Sequence, residues 1–196
     1  MTFRDERGQA IIETALILPI LSLLVFGVIE VATALNQTMV LTAASREGAR
    51  VAGALANGGG ALGCGSGQSP NASAVDPAVV AAVERVLSAS GTQISLADVT
   101  EIRIFKATAS GSETAGAVNS WTYVLNGGPL VGGEPLDFAE QSNTWPVCAR
   151  NNVSPADSAG ITVRYTYRTR TPLRYFMPFN GVTLAATTVM SLNATR

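Results

Sequence analysis

From Ala10 to Leu35 the chain reads AIIETALILPILSLLVFGVIEVATAL, 26 residues interrupted by only two ionisable side chains, Glu13 and Glu30. As a helix rising 1.5 Å per residue, that stretch extends about 39 Å, enough to cross a bilayer core of about 30 Å. It is apolar on all sides, with no polar stripe, which fits lipid or a fully protein-lined environment rather than the surface of a soluble domain. Bulk composition agrees. Apolar residues are 47% of the chain, charged residues 14% and mean hydropathy +0.27, against about 25% charge in an ordinary soluble domain.

The flanks give a direction. Arg4 and Arg7 precede the run and no further cation appears until Arg46. The positive-inside rule therefore places the N-terminus in the cytoplasm and the rest of the chain outside, a single pass. Cys64 and Cys148 are the only cysteines and stand far apart, without the close spacing of a metal or redox pair. In an oxidising compartment one disulfide is the economical reading, and two unlinked buried thiols are the other.

Three N-terminal arrangements are open. A secretory signal peptide would use Ala32-Thr33-Ala34 as its A-x-A site, but the run exceeds the usual roughly 7–15 residues and contains Glu13 and Pro19. A plain anchor accommodates the length and leaves Glu13 unexplained, although a carboxylate at the bilayer centre costs about 2.5–3.5 kcal/mol. The third arrangement explains it. Arg7-Gly8-Gln9-Ala10-Ile11-Ile12-Glu13 resembles the cleavage signature of type IV prepilins, in which a peptidase cuts after Gly and a Glu stands fifth in the new chain. Cutting between Gly8 and Gln9 frees an α-amino group one helical turn from Glu13 and on its face. That amine, or a neighbouring subunit's, is then a counter-ion able to set axial register.

The resemblance narrows over Arg7–Arg50. The order Arg7–Glu13, Leu18-Pro19, Phe26-Gly27-Val28-Ile29-Glu30 and Arg46-Glu47-Gly48-Ala49-Arg50 resembles TadE-like proteins, the minor pseudopilins of tight-adherence (Flp) pili. The aromatic usual after the conserved Glu is Thr14 here. The resemblance implies a minor pilin-like subunit that takes part in pilus assembly and surface attachment. Its partners would be membrane lipid, a prepilin peptidase, other pilin-like subunits and the pilus assembly platform. It would reside in the bacterial cytoplasmic membrane, and in the pilus or at the cell surface. The alternative is a secreted or surface-anchored binding module whose apolar N-terminus serves only export or anchoring.

Beyond the membrane run, ATALNQTMVLTAASREGARVAGALAN contains no Pro and ends at Gly58-Gly59-Gly60, so one helix is expected to continue, with a break near Asn36-Gln37 as the other reading. Leu41, Ala44, Gly48, Val51 and Leu55 share one face. The expected organisation is a leader at 1–8, a transmembrane and extended helix at 9–57, and an extracytoplasmic head at 58–196. In the head, 58–74 reads as loop, and Asp76-Pro77 as the N-cap and first turn of a second helix burying Val79, Val83, Val86 and Leu87. Strands are expected at Thr100–Ala107, Ser120–Leu125, Gly160–Arg170 and Leu184–Leu192. Ile161, Val163, Tyr165 and Tyr167 point one way, Thr162, Arg164, Thr166 and Arg168 the other. The fold class is α+β: a long N-terminal helix entering a head in which a second helix packs on an antiparallel sheet, the plan of pilins.

Catalytic chemistry has little to stand on. The chain has no histidine, the commonest general base and metal ligand, and no catalytic residue, metal ligand or cofactor is assigned. GGGALGCGSG lacks the GK[ST] ending of a phosphate loop. Arg164, Arg168, Arg170 and Arg174 alternate with tyrosines, but residues 57–196 carry nine cations and nine acids. A solvated sheet face is the reading, without a nucleic-acid partner.

Overall fold

The computed structural model describes residues 6–55, 71–175 and 181–192. Helix α1 spans Glu6–Ala54 without a break, about 74 Å long. It carries Pro19 internally and passes straight through Asn36-Gln37. The reason it does not break there is tertiary. Gln37 is fully buried, and its side-chain amide donates to the carbonyl of Gln93 at 3.2 Å. The helix is thereby tied to the head at this point.

The two halves of α1 live in different surroundings. None of its most apolar stretch is buried within the protein, and Ile11, Leu16, Ile20 and Val28 stand open. Side-chain hydroxyls in this half bond back to the preceding turn: Thr14 to Ala10, Ser22 to Leu18 and Thr33 to Ile29, at 2.8–2.9 Å. That removes their need for water. In the other half Leu41, Ala44, Ala49 and Ala52 are buried in the head core.

Helix α2 spans Ala72–Leu87, beginning earlier than the expected Asp76-Pro77 start. Asn71 is the N-cap, its side chain accepting from the Ser73 amide, and 72–74, expected as loop, is the first turn. Asp76 is not a cap because its carboxylate turns inward to a buried arginine. The glycine-rich segment up to residue 70, with Cys64, lies outside the described residues.

The sheet has five antiparallel strands: β1 (Val99–Ala107), β2 (Glu113–Tyr123), β5 (Phe138–Asn143), β6 (Ser158–Tyr167) and β7 (Val182–Ser191), in the order β5-β2-β1-β6-β7. Between β2 and β5, β3 (Leu130–Val131) and β4 (Glu134–Pro135) form a small separate hairpin. Central register pairs Ile102 with Val163 and Ile104 with Ile161, and β7 adds Leu184 opposite Tyr165. These side chains form one buried face, as the period-two pattern of β6 requires, and α1 and α2 cover it. The opposite face carries ion pairs of Arg103 with Glu113 and Arg164 with Glu101.

Gly48 marks where the layers meet. A Cβ built there would stand 2.6 Å from Val83 Cγ2 of α2 and 3.2 Å from Ile161 Cγ2 of β6. Only a residue without a side chain lets three elements approach so closely. One turn earlier, the Ser45 hydroxyl shares a 2.9 Å hydrogen bond with Thr188 of β7.

Candidate functional site

The N-terminal end of α1 presents its candidate residues to the surroundings rather than to the protein. Gly8 has open space where a Cβ would stand. Gln9 and Glu13 are exposed one turn apart on the same helix. Among the described residues, Glu13 has no hydrogen-bond or ion-pair partner within the chain. Thr14 satisfies itself on the Ala10 carbonyl.

The other carboxylate of the apolar run is placed quite differently. Glu30 lies where α1 meets the underside of the head. Its carboxylate accepts the Tyr167 hydroxyl of β6, the Arg170 amide at 3.1 Å and the Thr171 amide at 3.3 Å. The Glu30 carbonyl also accepts from the Tyr167 hydroxyl at 3.3 Å. Burial, and then the adjoining Glu30 carboxylate, push the Tyr167 hydroxyl well above the ordinary tyrosine pKa, so it stays a donor. The segment after β6 is thus looped around one glutamate. Val31, Ala34, Leu173, Val182 and Leu184 line an apolar cleft of about 210 Å³ beside it.

Sequence reasoning listed Glu30 as one letter of a motif and gave it no role. The available signal was the rarity of a carboxylate inside an apolar run, which was used for Glu13 alone. The consequence is geometric. Because the head engages α1 from Glu30 onward, the bare apolar part is Ala10–Ile29, twenty residues, or about 30 Å, the thickness of a bilayer core.

Cys148 lies in a one-turn 3₁₀ segment, Val147–Ala149, fixed on both sides. Arg150 makes a bidentate pair with Asp76 at 2.7 Å for each bond, and both residues are buried. The Asn119 amide donates to Asp76 at 2.8 Å and to the Trp145 carbonyl at 2.9 Å. The Arg150 guanidinium lies 4.5 Å from the centre of the Trp145 ring. Together they pin the loop carrying Cys148 to the start of α2. Cys148 is not a free thiol, while Cys64 lies outside the described residues.

A cleft of about 450 Å³ opens beside this network, lined among others by Asp76, Trp121, Glu140 and Cys148. Burial, and then the Asp76 charge, raise the Glu140 carboxyl above its usual range. Asp76 is fully occupied by Arg150 and Asn119. No group of three metal-ligating side chains occurs among the described residues.

The arginines expected on one solvated face divide. Arg164 pairs with Glu101 on the outer sheet face and Arg168 with Asp98. Arg170 and Arg174 lie beyond the end of β6, below the sheet.

Residues 8–50 match the family model of TadE-like proteins. The match begins at Gly8, contains Glu13, Glu30 and Gly48, and stops before α2, so α2 and the sheet lie outside it. No curated protein and no solved structure matches the chain.

Proposed function

We propose that this chain, TadE-like over its N-terminal segment, is a membrane-anchored minor pilin-like subunit that takes part in assembling a tight-adherence type pilus. The observation that carries the reading is the division of α1 at Glu30, a bare apolar half of bilayer length below and a half built into an α+β head above. The N-terminus lies in the cytoplasm and the head outside the cytoplasmic membrane. The organisation is a leader at 1–8, an anchoring and extended helix at 9–57, and a head at 58–196. The role is structural rather than enzymatic.

Gly8 and Gln9 flank the cut made by a prepilin peptidase. Glu13 then pairs with the new α-amino group of Gln9, or with a neighbouring subunit's, and fixes the axial register of packed helices. Other pilin-like subunits and the assembly platform are the partners. Cys64 and Cys148 form one disulfide tying the segment between α1 and α2 to the pinned Arg150 loop. Such a bridge contributes roughly 3–4.7 kcal/mol on the chain-entropy model. Peptide mapping without reductant tests it, with a linked Cys64–Cys148 peptide expected and two separate thiol peptides counting against it.

Of the secreted or surface-anchored binding-module alternative, the secreted, cleaved form fares badly on geometry. A signal peptidase cut after Ala34 would remove Glu30, leaving the Tyr167 hydroxyl and the Arg170 and Thr171 amides without their acceptor. It would also strip Val31 and Ala34 from the cleft beneath the head. Leaving the half-buried Tyr167 and Thr171 donors without their acceptor costs up to about 1–3 kcal/mol each.

The experiment is Glu13→Ala in the native assembly system. The variant is expected to insert in the membrane at normal levels and to fail to support fibre formation. Normal fibres from that variant would remove the role assigned to Glu13.

A further inference from the structure

We propose that the underside of the head is a docking surface for anionic phospholipid headgroups, with Arg174 and Tyr175 as its contact pair. The inference rests on membrane anchoring through Ala10–Ile29 and adds where the head sits once anchored.

Position comes first. Glu30 holds the Arg170 and Thr171 amides, and the one-turn 3₁₀ segment Pro172–Tyr175 follows immediately. That turn therefore lies at the height where the bare half of α1 ends. The predominantly apolar twenty-residue stretch Ala10–Ile29 spans the hydrocarbon core, so this height is the headgroup layer.

The chemistry of the surface fits that layer. Tyr175 is 74% exposed, an amphipathic ring of the kind enriched at membrane–water boundaries. The Arg174 guanidinium lies 4.8 Å from the centre of that ring and donates to the Tyr175 hydroxyl at 2.7 Å. Among the described residues Arg174 has no acidic partner, unlike Arg168 with Asp98. Glu30 lies nearby, but its carboxylate is taken up by Tyr167 and two backbone amides. Arg170 is also exposed, though its guanidinium donates upward to the Gln93 carbonyl. Leu173 and Val182 supply apolar surface in the cleft beside Glu30. An exposed arginine stacked on an exposed tyrosine, continuous with a bilayer-length helix, offers phosphate a cation and the interface an aromatic anchor.

The test uses the full chain carrying Tyr175→Trp, with Trp121 and Trp145 buried as internal background. It is reconstituted into phosphatidylcholine vesicles with or without phosphatidylglycerol, each containing lipid brominated near the headgroup. Docking predicts that the added emission is quenched in the anionic vesicles. The docked-to-undocked ratio should fall roughly fivefold on adding Arg174→Gln, while Arg174→Lys retains it. High salt should release the head. Chains that float with the vesicles yet show no quenching, or quenching indifferent to Arg174→Gln and lipid charge, would overturn the docking surface and leave anchoring intact. An emission shift that follows protein concentration and ignores lipid would assign the surface to a second copy instead. Chains that fail to float would take anchoring and docking down together.

Discussion

The carboxylate of Glu30, on the anchor helix, accepts the hydroxyl hydrogen of Tyr167, 137 positions further along the chain. That bond joins the membrane-facing and head-forming parts of the molecule at a single level. Its neighbours make it more than a pair, because the same carboxylate also holds the amides of Arg170 and Thr171. A helix leaving a head is free to swing unless something fixes its exit, and these donors fix it.

Tyr167→Phe removes one donor and keeps the ring in the core, so a loss of about 1 kcal/mol is expected. Glu30→Ala strips the acceptor from the hydroxyl and two amides and should cost about 1–3 kcal/mol or more. Hydrogen exchange at Arg170 and Thr171 checks both. Exchange should quicken markedly in Glu30→Ala and only modestly in Tyr167→Phe. Unchanged protection in Glu30→Ala would show that the junction is held by packing alone.

The same contact makes the junction sensitive to alkali. Burial and the Glu30 charge raise the Tyr167 pKa in the folded state, so folding binds this proton more tightly. Its contribution is complete below the unfolded tyrosine value of about 10 and is lost as pH rises through the raised folded value. Thermal unfolding followed upward from about pH 10 should show a falling stability that Tyr167→Phe partly removes. Identical alkaline profiles for the two proteins would contradict this.

Gly48 sits where α1, α2 and β6 converge, with a hypothetical Cβ 2.6 Å from a methyl of buried Val83. Gly48→Ala should therefore overpack the joint and destabilise the head by about 1–3 kcal/mol, despite the gain in helix propensity. Gly48→Ala with Val83→Ala should recover part of that loss. A stabilised single variant would mean that the layers separate more easily than their packing indicates.

Arg150 and Asp76 are both buried and bonded at 2.7 Å. Arg150→Met leaves an uncompensated carboxylate and should cost about 3–5 kcal/mol, whereas Asp76→Leu with Arg150→Met should cost far less. Chemical denaturation of the three proteins separates the cases. Equal losses in the single and double variants would assign the effect to Trp145 packing rather than to charge.

The sequence was most legible where one periodicity acted alone. The unbroken apolar run yielded the long helix, and the alternation of Ile161, Val163, Tyr165 and Tyr167 yielded the buried face of β6. It was least legible where a residue's partner is distant. Asp76 before Pro77 has the look of a cap, yet Arg150 draws it into the core and Asn71 caps the helix instead. The Phe138–Asn143 strand is short and polar at its end, and pairing with β2 makes it a strand. β2 begins at Glu113 rather than Ser120 because β1 pairs Ala107 with Glu113, even with Gly116 at positive φ between. Glu13 draws notice in the sequence because its cost in an apolar run is local. The role of Glu30 depends on Tyr167, Arg170 and Thr171, which no local pattern connects to it.

The most direct measurement is the N-terminal residue of the chain recovered from its native membrane, read by mass spectrometry. A start at Gln9 is the expected result and establishes prepilin-type processing with the apolar helix retained. A start at Leu35 would contradict anchoring and discard Glu13 and Glu30 together. An uncut N-terminus ahead of Gly8 would contradict processing and leave a permanent anchor.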